Sequence, residues 1–170
     1  MGFTPLEGIP MGTRSGDLDP AIALQLIQNL KKSPQEIAEI LNHDSGLKGV
    51  SGISSDVRDL WAATKKHDQR AIKTLNLLAY KTARYIGAYT AALNGLDALI
   101  FTAGIGENAY YLRQEICNYF NYLNLKLDPK KNKKNAVEIS TKTSKVKVYV
   151  IPTNEEKQIA QETYQILKNA

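Results

Sequence analysis

The chain has 170 residues, 43% of them hydrophobic, and a formal net charge of +5. That is enough for one domain with a real core and short for two, with the composition of an ordinary globular protein. A single cysteine, Cys117, excludes an internal disulfide, and no apolar run reads as a signal peptide or a membrane span, so no membrane partner and a cytoplasmic setting are expected. The first twenty residues hold four glycines and three prolines and read as loop. Pro20 opens a helix over "PAIALQLIQNL" with Asp19 as N-cap, and Ser33-Pro34-Gln35-Glu36 is a capping box that starts a second helix running to about Asn42. "HDSGLKGVSGISSD" reads as loop, and Ser55 or Asp56 caps a further helix through Leu60 and Trp61.

The longest helical pattern runs from Asp68 to about Asn94, with Ile72, Leu75, Ala79, Thr82, Ile86, Tyr89 and Leu93 on one stripe. Ala71, Ala83, Gly87, Ala88, Ala91 and Ala92 keep it slim, and Gly95 stops it. "DALIFTAG" reads as a buried strand, followed by a helix from Glu107 to about Tyr122. "AVEIS" suggests a short strand and "KVKVYVIP" a clear one, and the chain closes on a helix capped by Thr153 or Asn154 with two acids in its first turn. The lysine-rich run "KLDPKKNKKN" reads as solvated loop. It carries no interleaved aromatic residue, so no nucleic-acid partner is expected there. Cys117 falls on a helix and reads as buried and inert, and His43 and His67 read as surface residues.

Chemistry concentrates at Gly104-Ile105-Gly106-Glu107-Asn108-Ala109, a G-x-G-x-x-A pattern between a strand and a helix. In a dinucleotide fold this turn holds a pyrophosphate, and Asp128 lies at the spacing of a ribose-binding acid. Glu107 opposes that reading by placing a carboxylate in the first helical turn, and Pro129 opposes it by cutting the second strand short. A third reading is that the glycines simply make the turn.

Four segments occur in order: "MGFTPLEGIPMGTRSGDLDP", "SGISSDVRDL", "FTAGIGENA" and "VIPTNEEKQIAQET". Together they closely resemble the C-terminal part of the acetate kinases, a family within the sugar-kinase, actin and chaperone-ATPase superfamily. The resemblance runs from Met1 to about Thr163. It implies an α/β fold, part of a ribonuclease H-like domain that is helix-rich with a short, incomplete sheet. It also implies that residues 1–170 form the C-terminal nucleotide-binding portion of a longer enzyme. In the family the glycine turn meets the adenosine end of ATP, which accommodates Glu107.

The roles implied by the resemblance are specific. Arg14 stands near the carboxylate substrate and the transferring phosphoryl group, where a planar donor fork suits the developing charge. Read without the family, it is a loop arginine paired with Asp17. Asp56, Val57 and Arg58 line the adenosine pocket, although Asp56 alone could be only a cap. Gly104, Ile105, Gly106, Glu107 and Asn108 form the nucleotide turn, and Glu155 holds Mg2+. The implied partners are ATP or ADP, with acetate or acetyl phosphate in the complete enzyme, and a second copy in a homodimer. The resemblance also implies that the first phosphate loop, the catalytic aspartate and a second substrate arginine lie outside this chain, with Met1 matching an internal methionine. The strand "ALIFTAG" would then keep an open edge. A propionate or butyrate kinase, or a non-catalytic nucleotide-binding or dimerisation module, are the alternatives.

Overall fold

A computed structural model describes residues 2–169, so Met1 lies outside the described residues. It contains α1 (Pro20–Leu30), α2 (Pro34–His43), α3 (Gly46–Ser51), α4 (Val57–Thr64), α5 (Gln69–Ala92), β1 (Ala98–Phe101), α6 (Ala103–Asn108), α7 (Tyr110–Asn118), α8 (Pro129–Lys133), β2 (Lys147–Val150) and α9 (Glu155–Asn169). A short 3-10 turn occupies Asn121–Leu123.

The locally capped helices form where their caps dictate. The Asp19 carboxylate accepts from the Ala21 N–H, Ser33 and Glu36 exchange both capping-box bonds, and Asp56 and Asp68 accept from Arg58 and Ala71. At α9 the Asn154 side chain accepts from the Lys157 N–H.

α3 lies inside the segment that reads as loop. Its first donors find tertiary acceptors rather than a side-chain cap: Ser45, Leu47 and Lys48 N–H groups bond the Thr13, Met11 and Gly12 carbonyls, each at 2.9 Å. Gly46, at φ 59°, permits this approach, because a side chain there would collide with the Met11 and Arg14 carbonyls.

α5 is the central element and packs against α3, α4 and α7. Its buried side runs through Ala71, Thr74, Leu75, Leu78, Ala79, Ala83 and Thr90, rotated from the expected stripe, so that Tyr89 and Leu93 are exposed. The alanines divide accordingly: Ala71 and Ala83 serve the chain's own core, while Ala88, Ala91 and Ala92 face outward. Leu47, Leu60, Leu112, Phe120 and Val148 join the same core. Complete burial of a side chain such as Leu60 contributes about 1.5–3 kcal/mol.

β1 and β2 pair in parallel, from Ala98 opposite Lys147 to Phe101 opposite Val150. The far edge of β2 is covered by residues 137–139, which form an isolated antiparallel bridge rather than the expected strand in "AVEIS". The other edge of β1 has no strand partner among the described residues. The lysine-rich run is also not simple loop. Asp128 caps α8 by accepting from the Lys130 and Lys131 N–H groups, and Asn132 of that helix is buried.

Candidate functional site

A cleft of about 1200 Å³ opens between four segments: the Ile9–Gly12 loop, the start of α4, the end of β1, and α6 with the first turn of α7. It gathers Asp56, Val57, Arg58, Gly104, Ile105, Gly106 and Asn108 in one place. Of the expected turn residues, only Glu107 is not on its wall. The Glu107 carboxylate points elsewhere and accepts from the Thr153 N–H at 3.0 Å and from the Thr153 hydroxyl at 3.3 Å. The charge that opposed a phosphate is therefore turned toward the segment leading into α9.

The "SGISSD" stretch builds its own rigid corner. Fully buried Ser51 accepts from the Ile53 and Ser54 N–H groups, Ser54 Oγ donates to Asp59, and the Asp56 N–H bonds Ser54 Oγ. Asp56 caps α4 and also grips the Arg58 guanidinium, with Nη2 to Oδ2 at 2.6 Å. That contact, followed by the Arg58 backbone N–H, draws the Asp56 carboxyl down to about 2. Asp56 is thus both a cap and part of the cleft wall. Gly12 lies against this corner, and a Cβ there would stand 3.1 Å from the Ser55 carbonyl, so the loop bearing Arg14 abuts the cleft.

The glycine turn differs from expectation. Gly104 and Gly106 are helical residues of α6, and neither has positive φ. The left-handed position is Ala103, at φ 58°. The reading in which the glycines merely make the turn is therefore incorrect. Gly106 is small because a Cβ would press on Phe101 at 3.3 Å, whereas a Cβ on Gly104 would meet nothing within 4 Å. Asn108 spends one amide donor on the Gly104 carbonyl at 2.9 Å.

The expected single helix from Glu107 to Tyr122 is broken at Ala109. An unbroken helix would give the Gly106 and Glu107 carbonyls to the N–H groups of residues 110 and 111. Arg113 takes both instead, at 2.7 and 2.8 Å. Sequence reasoning missed this residue, although it shares the buried face of Leu112, Ile116 and Cys117. It also missed an aromatic wall, in which Trp61 stacks on Tyr111 at 3.8 Å and meets Tyr110 edge-on. Burial pushes the Tyr111 phenol up to about 12, and its hydroxyl donates to the Val57 carbonyl.

Arg14 and Glu155 are not on the cleft wall. Arg14 is half-buried beside it, and no ion pair with Asp17 forms. Asp17 instead accepts from the Tyr85 hydroxyl at 2.6 Å and the Gly8 N–H at 2.7 Å, which pins the loop to α5. The Tyr85 contact, then the Gly8 bond, lowers the Asp17 pKa, and the same contact lifts Tyr85 to about 12. Glu155 begins α9, whose described side chains are all exposed. The described residues contain no cluster of three metal-binding side chains. Asp128 caps α8 and is not on the cleft wall, so it does not serve as the ribose-binding acid of the dinucleotide reading. Cys117 is buried, with its thiol raised to about 12 by desolvation, and His43 and His67 are exposed, as expected.

A parallel strand pair feeding a glycine-containing helix, beside a cleft lined by polar corner residues and aromatic rings, defines an α/β protein with a ligand-sized cleft. The acetokinase family model matches residues 1–161, and the chain belongs to that family. It is 52% identical over 168 residues to an acetate kinase of Clostridium botulinum, covering 98% of this chain and 42% of that protein. An acetate kinase structure from Porphyromonas gingivalis superposes with a TM-score of 0.91 at 41% identity, over 98% of this chain and 43% of that one. A propionate kinase from Francisella tularensis gives 0.90 at 41%, over 95% and 42%. The chain thus spans less than half the length of these relatives. The helix-rich α/β fold with a small parallel sheet is the one the family resemblance implies. No helix among the described residues is long and apolar enough to cross a membrane.

The Asp17–Tyr85 bond has a defined pH window. Asp17 is depressed, so its contribution is present above the ordinary aspartate range near about 3.9 and lost as pH falls through its lowered value. Tyr85 is raised, so its contribution is complete below about 10 and lost as pH rises through its value near 12. Alkaline titration followed by phenolate absorbance should show two phenols ionising near 12 in the parent and one in Tyr85→Phe. An unchanged late phase in the variant would contradict the assignment.

Proposed function

We propose that this chain is the C-terminal, adenine-nucleotide-binding part of an acetate kinase. The complete enzyme transfers the γ-phosphoryl group of ATP to acetate, reversibly giving acetyl phosphate and ADP. The observation that carries this reading is the convergence of "SSDVR" and "GIGEN" on one cleft, together with the unfilled space at Gly104. A glycine that neither makes a turn nor avoids a neighbour leaves room for something outside the chain. The Trp61, Tyr110 and Tyr111 rings offer flat apolar surface for a base, and Asp56, Arg58 and Asn108 offer polar groups around it.

In this reading Arg14 acts in the complete enzyme. Its guanidinium stabilises charge on the transferring phosphoryl group, held by a loop docked on α3 and tied to α5 through Asp17. Glu155 supplies one carboxylate to Mg2+, with phosphate oxygens and water completing the shell, and an exposed carboxylate suits a cation that keeps much of its hydration. When bound, Mg2+ neutralises phosphate charge. A reaction that draws on ATP is placed in the cytoplasm. The likeness to a propionate kinase supports a second reading, in which the acyl group is longer and is selected by parts of the enzyme this chain does not span.

The proposed partner in assembly is a second copy. The outward face of α5 presents Tyr89 and Leu93 around Gly87, whose missing Cβ would meet nothing in this chain. Slim surface of this kind suits close helix packing. Light scattering over a range of concentrations should find a pair of chains, and a monodisperse monomer throughout would contradict the homodimer.

Calorimetric titration of ADP, ATP and NAD into the chain tests the nucleotide reading. Both adenine nucleotides should bind more tightly than NAD. Tighter binding of NAD than of either would overturn the kinase assignment of the cleft.

A further inference from the structure

Arg113 is the one charged residue buried among the described residues, at 1% exposure. Its guanidinium donates to five acceptors. Nη1 reaches the Gly106 and Glu107 carbonyls, Nη2 reaches the Asn132 carbonyl at 2.7 Å and Asn135 Oδ1 at 2.6 Å, and Nε reaches Asn132 Oδ1 at 2.8 Å. All five are neutral, and no carboxylate answers the charge. Asn132 is itself buried and donates to the Tyr110 carbonyl at 2.9 Å. Together the two side chains hold three carbonyls on either side of the α6–α7 break.

A buried cation is costly unless its geometry is fully satisfied, and a helix break between two short helices is easily lost to a continuous helix. Arginine answers both requirements because its planar fork can reach five acceptors at once, whereas lysine carries the same charge as a point with three donors. We propose that Arg113 is the positioning residue of the nucleotide turn: its guanidinium fixes the end of α6 so that Gly104 through Asn108 keep the conformation that forms the cleft wall. The inference rests on the nucleotide reading for what the turn binds. The clamp itself rests only on the contacts above.

Two variants and two readouts test it. Arg113→Lys keeps the charge and loses the fork. Asn135→Gly removes one acceptor from a residue outside the cleft, and glycine suits its left-handed backbone at φ 52°. Hydrogen exchange is measured on the nucleotide-free 170-residue chain. ADP affinity is measured by the fluorescence of Trp61, the single tryptophan, which lines the cleft.

In Arg113→Lys, amides across residues 106–112 should exchange about tenfold faster and the ADP Kd should rise about tenfold, with α5 exchange unchanged. Asn135→Gly should move both readouts in the same direction by less. Unchanged exchange at the turn in a folded variant, or acceleration spread equally over α5, would overturn the clamp. If Arg113→Lys does not fold, Asn135→Gly decides. A parent chain that fails to bind ADP would count against the nucleotide reading, with the exchange result still judging Arg113.

Discussion

The guanidinium of Arg113 sets the shape of the site more than any other single group. It ends α6 by taking carbonyls that a longer helix would have used, and it ties that end to Asn132 and Asn135 in and beside α8. Each buried donor left without an acceptor costs about 1–3 kcal/mol, so the arrangement holds as a set. The lysine-rich segment is accordingly a structural support, because it carries the two asparagines that solvate the buried cation. With α6 cut short, Tyr110 and Tyr111 turn toward Trp61 and close one side of the cleft.

The opposite side of the cleft depends on a second long-range constraint. The Met11–Thr13 carbonyls receive the first donors of α3, and Tyr85 on α5 holds Asp17 at the loop's far end. A glycine-rich loop fixed at both ends holds Arg14 in a defined position, and its guanidinium makes no ion pair among the described residues. Under the proposed function such a loop suits phosphoryl transfer, where positioning and charge placement dominate over covalent chemistry by the protein.

Sequence reading succeeded where structure is local. The caps at Asp19, Ser33 and Asp56 bond N–H groups two or three residues away, so their residue types announce them. It failed where the partner is distant in sequence. α3 has no side-chain cap because loop carbonyls more than thirty residues upstream replace it, and Arg113 takes the carbonyls that a continuous helix would have used. One signal could have exposed Arg113: it sits on the same face as Leu112, Ile116 and Cys117, where a charged residue is out of place unless buried with partners. The residues of the cleft wall were legible as motifs. That Glu107 faces Thr153, and that Ala103 rather than a glycine takes the left-handed position, depends on how α6 meets the segment before α9.

β1 keeps one edge without a strand partner among the described residues, and α9 exposes Ile159, Ile166 and Leu167, while the relatives are more than twice as long as this chain. The central claim is that this chain holds the nucleotide while another part of the enzyme completes the acetate site. The most direct measurement is hydroxamate trapping of acetyl phosphate with ATP, Mg2+ and acetate. It is made first on this chain alone, then after adding the part of the Clostridium botulinum acetate kinase that this chain does not match. The account predicts no product alone and product on mixing, with the mixed activity lost in Arg14→Ala. Product from the chain alone, or from the mixture at full rate with Arg14→Ala, would contradict it.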